Sequence, residues 1–303
     1  MHNAINYFLA TLIGSLISIM VIFNTRLGEV STMSLSFIAN HVVSIVVLTL
    51  ILIILRLKRG RPSERRKAPW YLWFGGVFGY FILHANFITI TKVGASLTTA
   101  TLVFGQSLTS LIFDLTGLMG RKVYKVSRFK ALSLSLSLVG IVVMGFEGGT
   151  FALPYLLLGV LTGVLVMVQM VYNAHFASYK GVFFSARQNV ISGLLFSLVI
   201  YASTQAEQTI EAFKGIGQIP IPLILGGGLL SVMVVSGTNF VLPKLPAIYS
   251  ALLLSAAQII TSVIIDHHLY DLFSYPLLIG TLIILVSMVF NVLVDVKERG
   301  KLV

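Results

Sequence analysis

The run WFGGVFGYFILHANFITITKVGASLTTATLVFGQSLTSLIFDLTGLMG, residues 73–120, decides the fold class. Its only basic residue is Lys92 and its only acid is Asp114. A helix that spans a bilayer needs about 20 mainly apolar residues. The stretches on either side of 92–93 meet that length. A connection this short predicts two antiparallel membrane helices, over 69–91 and 94–117.

The same pattern fills the chain. The 303 residues are 57% hydrophobic and 10% charged, where soluble domains run at about 25% charged. Further spans are expected at 5–25, 31–56, 128–146, 154–176, 181–203, 220–241, 245–266 and 274–295. The fold class is therefore an all-α integral membrane protein of about ten transmembrane helices. The first apolar run lacks a basic n-region and a small-residue cleavage pattern, so it reads as a retained helix. Cysteine is absent, which excludes disulfides, thiol nucleophiles and iron–sulfur sites.

The net charge of +11 does not call for nucleic acid. On this helix placement 18 Lys and Arg residues fall on one side, mostly in the stretches 56–67 and 121–130. Only Arg26, Lys92 and Lys214 fall on the other. The positive-inside rule then predicts a multi-pass protein of the cell membrane with both termini in the cytoplasm.

The chain also resembles itself. A shift of 149 residues brings Ala10 to Gly159, Gly14 to Gly163, Asn24 to Asn173, Ser36 to Ser185 and Asn40 to Asn189. A shift of 152 brings Gly75-Gly76 to Gly227-Gly228, Lys92 to Lys244, Gln106 to Gln258 and Asp114 to Asp266. Apolar matches mean little in so hydrophobic a chain, whereas Asn, Gln, Lys and Asp are scarce in it. The expected repeats are 1–150 and 151–303. Each has five helices, an odd number, so the second must run the opposite way through the membrane. Inverted repeats of this kind let secondary transporters alternate access to a midplane site.

The residues Gly75, Gly76, Gly79, Lys92, Gly94, Gly105, Gln106, Asp114 and Gly117 carry a resemblance to the YdcZ-like family of the drug/metabolite transporter superfamily. Residues 225–268 repeat the pattern more loosely, with Pro246 for Gly94 and Ala257 for Gly105. Typical members are single five-helix units, so the chain resembles a fused pair in an EamA-like arrangement. The resemblance implies an exporter of small molecules and no definite substrate.

Polar groups in a bilayer are costly unless paired. Asn40, Gln106, Asn189 and Gln258 lie inside expected helices and are candidate substrate ligands; interhelical hydrogen bonding is the alternative use. His84, Asn86 and Asn239 join them without identical counterparts in the other half. Gln169 is a further lone polar group. Asp114 and Asp266 end their helices near opposite faces, which suits coupling or gating; each could equally pair with a neighbour, Asp114 with Arg121 or Lys122, Asp266 with His267 or His268. Gly75 and Gly79, like Gly159 and Gly163, have the spacing that lets helix backbones approach. Trp70, Tyr71 and Trp73 read as an interfacial aromatic belt.

Enzyme chemistry finds no footing. There is no P-loop and no His-Glu-x-x-His. Adjacent His267 and His268 cannot share one face of a regular helix, so no metal and no cofactor is expected. The reading is a secondary-active transporter of a small metabolite or drug-like molecule, acting as a monomer, with protons as the candidate coupling ion. A membrane-embedded enzyme and a scaffold or receptor subunit are the alternatives.

Overall fold

A chain segment in hydrocarbon must satisfy its own backbone hydrogen bonds, and a helix does this within one segment. The computed structural model describes residues 2–59, 67–116, 128–145, 152–241, 244–245 and 247–299, and these are helical almost throughout. The helices are α1 (His2–Val30), α2 (Met33–Arg59), α3 (Gly76–Thr116), α4 (Arg128–Gly145), α5 (Leu153–Lys180), α6 (Val182–Thr204), α7 (Ala206–Lys214), α8 (Ile221–Val241), α9 (Ala247–Ile265) and α10 (Tyr275–Arg299). A 3-10 turn, Trp70–Phe74, leads into α3. A π-helical turn, Asp266–Tyr270, follows α9.

Local signals set the ends. Thr32 Oγ1 accepts the Leu35 N–H and caps α2, and Ser274 Oγ accepts the Leu277 N–H and caps α10. Gly181, at φ 87°, separates α5 from α6, a backbone angle that glycine adopts without strain. α3 is interrupted at Gly94, where φ is 80° and ψ 171°. The break lies one residue beyond the expected 92–93 connection.

Among the described residues seven stretches are long and apolar enough to cross a membrane, one of them Trp70–Phe113, which contains the Gly94 break. Two shorter apolar helices, Ala131–Gly145 and Tyr275–Phe290, accompany them. α7 is short and polar, with Ile210 and Phe213 exposed.

Two compact units form, each drawing on both halves of the chain. The first comprises Met1–Ser18, Ile88–Met167 and Val241–Val303. Its core packs Leu97, Val103, Ile141, Leu156, Ile259 and Ile284. α4 and α10 meet there through reciprocal bonds, Ser133 Oγ donating to the Ser287 carbonyl and Ser287 Oγ to the Ser133 carbonyl. Gly140 and Gly280 face each other's carbonyls further along.

Close backbone approach recurs at matched positions in this unit. A Cβ on Gly14 would overlap the Leu254 carbonyl, and one on Gly163 would overlap the Leu102 carbonyl. These are equivalent pairs under the 149 and 152 shifts. Gly163 packs on Gly105, whereas Gly14 packs on the methyl of Ala257. The Gly-to-Ala replacement therefore leaves the approach in place, because Gly14 supplies the room.

The second unit comprises Ile19–Phe87 and Val168–Phe240. Leu48, Ala186, Val190 and Val232 form one apolar cluster, and Phe37, Ile38 and Tyr201 another. Trp70 and Tyr71 are exposed. Trp73 instead packs edge-on against Phe176 and Phe184.

Candidate functional site

In the first unit the polar focus is Asp266. It is 1% exposed, and its Oδ1 and Oδ2 accept the backbone N–H groups of Ala95 at 2.7 Å and Ser96 at 2.6 Å. These are the first donors of the helix that resumes after Gly94. The opening N–H groups of a helix have no partner within it, and the positive end of its dipole favours a carboxylate. Asp266 therefore spends both oxygens on the helix start and not on His267 or His268. Gly94 makes the geometry accessible, since a Cβ there would sit 3.3 Å from the carboxylate.

Asp114 lies in α3, and its side chain is outside the described residues. Gln258 is buried and Gln106 half-buried in the same unit. The Gln258 carbonyl accepts Ser18 Oγ at 2.9 Å, and the Gln106 backbone nitrogen faces Gly163.

In the second unit two arms surround matched glycine pairs. At Gly75-Gly76, the Gln169 Nε2 donates to the Gly75 carbonyl at 3.2 Å and to Asn189 Oδ1 at 3.3 Å. Ser192 Oγ accepts the Gly76 N–H. Ser185 Oγ donates to the Asn173 carbonyl, and Gln188 Nε2 to that of Trp73. Tyr172 donates its hydroxyl to the Tyr71 carbonyl. At Gly227-Gly228, Asn24 lies against Gly227, and Ser36 Oγ donates to the Asn24 carbonyl at 2.6 Å. Ser44 Oγ reaches the carbonyls of Asn40 and Gly228, at 2.7 and 3.0 Å.

His84 belongs to this unit as well. Its Nδ1 lies 2.8 Å from the Tyr80 carbonyl, which can only accept, so Nδ1 carries a proton. In the neutral ring Nε2 is an acceptor, and Tyr201 donates its hydroxyl to it at 3.0 Å. Phe37, Tyr80 and Tyr201 pack around the imidazole, and Phe37 also stacks on His41 at 3.8 Å. Asn86 is buried nearby in sequence. Asn239 is half-buried, and its Nδ2 has no hydrogen-bond partner.

Of the residues expected from the sequence, Asn40, His84, Asn86, Asn189 and Asn239 fall in the second unit, and Gln106, Asp114, Gln258 and Asp266 in the first. Gln169 and Tyr201, which tie Asn189 and His84 into networks, were not among the expected site residues. Among the described residues no cluster of three His, Asp or Glu suits a metal ion.

The sequence model of one family matches the chain twice, over residues 5–143 and 154–293. That family is described as "Putative inner membrane exporter, YdcZ". A search of curated proteins finds no match. Among solved structures, one crystal structure of a protein 17% identical aligns over 97% of both chains with a TM-score of 0.59. At that identity the likeness is one of fold. The two tandem matches together cover most of the chain, which belongs to the YdcZ family of the drug/metabolite transporters in a fused, two-unit form.

Proposed function

We propose that the chain is a secondary-active exporter of a small metabolite or drug-like molecule. It works by alternating access between two inverted five-helix repeats, 1–150 and 151–303. Counting the helix broken at Gly94 as two spans and adding the two shorter apolar helices brings the seven long stretches to ten. A ten-span arrangement with the one-sided distribution of Lys and Arg supports a topology with both termini in the cytoplasm.

The observation that carries the reading is the recurrence of the same helix contacts at matched positions. Gly14 meets the carbonyl of Leu254 as Gly163 meets that of Leu102, and Asn24 meets Gly227 as Asn173 meets Gly75. Two copies of one packing scheme, inverted in a membrane, supply two equivalent arrangements that can exchange inward and outward access. The substrate meets some of Asn40, His84, Asn86, Gln106, Asn189, Asn239 and Gln258. Asp266, through its hold on the helix start at Ala95 and Ser96, acts as a gate clamp, and Asp114 takes the same role at the matched position. One chain holds both halves, so the functional unit is a monomer, and protons are the coupling ion.

The test is release of a pooled metabolite and drug library from sealed proteoliposomes after a pH step. Wild type releases a particular compound, and the Gln106→Leu/Gln258→Leu double variant does not. Release indistinguishable from empty liposomes for every compound removes transport. A double variant that transports normally assigns the two glutamines to helix packing.

A further inference from the structure

The two arms of the second unit match in backbone contacts and differ in polar partners. Around Gly75-Gly76 the Asn189 Oδ1 is taken by Gln169. Around Gly227-Gly228 the equivalent oxygen, Oδ1 of Asn40, is buried with no hydrogen-bond partner. So is Nδ2 of Asn24, the residue that lies against Gly227. Asn24 is 4% exposed and Asn40 7%.

The sequence explains the difference. The 149-residue shift that carries Asn24 to Asn173 and Asn40 to Asn189 carries Met20 to Gln169. Methionine has no N–H to give. The arm that keeps a glutamine fills the Asn189 Oδ1 from within, and the arm that has methionine is short of one donor for Asn40 Oδ1 and one acceptor for Asn24 Nδ2. A buried amide end without a partner forfeits its hydration with nothing in return, and native proteins seldom carry two together. Further along α8, Ser236 Oγ and Asn239 Nδ2 are also buried without partners. His84 and Phe87, at the matched positions of α3, present no such atom among the described residues.

We infer that Asn24 and Asn40, beside Gly227-Gly228, form a binding site for an uncharged ligand bearing a primary carboxamide or a like donor–acceptor group. The chemistry is that of the Gln169 side chain. An N–H of the ligand donates to Asn40 Oδ1, as Gln169 Nε2 does to Asn189, and its carbonyl oxygen accepts from Asn24 Nδ2. A carboxylate has no N–H for Asn40. A cation finds no countercharge on the residues whose atoms lie nearest this glycine pair, Asn24, Asn40 and Val43. The inference rests on the transport reading for its role and names the substrate class for it.

Binding is tested apart from flux. Benzamide is the probe, with benzoate and N,N-dimethylbenzamide as controls, read by saturation-transfer NMR on the purified full chain in detergent. Wild type binds benzamide saturably and neither control. Met20→Gln supplies the internal carboxamide and weakens benzamide at least about tenfold, the worth of one good hydrogen bond. Met20→Leu, of similar volume, stays within about twofold. Gln169→Met opens the matched arm and raises the benzamide stoichiometry from one to two, which keeps the test alive should Met20→Gln not fold. Equal binding by wild type and Met20→Gln, equal loss in Met20→Leu, or no saturable benzamide signal overturns the site. Benzamide binding that Met20→Gln abolishes, with no flux of any compound, keeps the site and removes the transporter. Flux of other compounds untouched by Met20→Gln, without benzamide binding, does the reverse.

Discussion

Replacing Asp266 with alanine removes the side-chain acceptor of the N–H groups of Ala95 and Ser96. Both donors are then stranded where the residues around them are buried. Leaving a buried donor unpaired costs roughly 1–3 kcal/mol, so two cost about 4. The deletion also removes the cost of burying the carboxylate itself, which offsets part of this. A net loss of about 3 kcal/mol is expected, on the order of a hundredfold in the unfolding equilibrium. Asp266→Asn keeps one acceptor and turns an NH2 toward the second donor, so it should lose about half as much.

Gly94→Ala attacks the same clamp from the other side. Its φ of 80° costs an L-residue roughly 1–2 kcal/mol, and the new methyl would crowd the carboxylate. Because both changes act on one contact, the double variant should lose less than the sum of the singles. The assay is SDS-driven unfolding in mixed micelles, paired with amide hydrogen exchange of the peptide that contains Ala95 and Ser96. Asp266→Ala should unfold at lower SDS and lose protection at that peptide first. If it unfolds at the wild-type midpoint with protection intact while flux is abolished, the carboxylate is a transport group and not an anchor, and the reasoning fails.

Two further expectations concern the repeat. Gly163→Val drives a side chain into the Leu102 carbonyl and should cost more than about 2 kcal/mol in the same SDS titration; Gly217→Ala, with nothing within 4 Å of the added methyl, should stay within about 0.5 kcal/mol. The chain has no cysteine, so Lys92→Cys and Lys244→Cys can be introduced singly. An impermeant maleimide should label position 92 from outside intact cells and position 244 only from the cytoplasmic side, and labelling of both from one side refutes the inversion.

The class of fold was legible because apolar runs of spanning length leave few other states for a chain to adopt. The repeat was legible because Asn24, Asn40, Gln106 and Asp114 are rare residue types here, and their matches are informative. Partners were not legible. Gly14 can be paired with Gly163 by a shift along the chain, but the Leu254 and Leu102 carbonyls they approach belong to other helices. Asp266 was expected to serve coupling or gating or to pair with His267 or His268, and it meets the backbone N–H groups of Ala95 and Ser96, 171 and 170 residues away. Backbone donors carry no sequence signature of their own; only Gly94, which permits the break, hinted at a helix start needing a cap. Gln169 stands out in the sequence as a lone polar group, but its pairing with Asn189 does not, and the hydroxyl of Tyr201 is one of many aromatic polar tips, so neither contact is legible from spacing. Helix α7 places Ala206, Ile210 and Phe213 at helical spacing in a segment too polar to span.

Those unmatched residues show why the halves diverged where they did. At Gly14 and Gly163 an added side chain would run into another helix's backbone, so each copy must keep both the glycine and its neighbour. An amide is less exacting, because any donor within reach satisfies it, whether from the protein or from a ligand. Gln169 can therefore stand at one copy and Met20 at the other without disturbing the helix contacts, and the two arms keep the same Ser-to-carbonyl bonds, Ser36 to Asn24 and Ser185 to Asn173. Had both arms kept the glutamine, neither would have this asparagine oxygen left to accept from a polar molecule. Had both lost it, the unit would carry two sets of stranded groups and two sites. With the Asn189 oxygen filled in one arm and the Asn40 oxygen open in the other, the cost is held to a single set, and a repeated scaffold gains an asymmetric point of recognition.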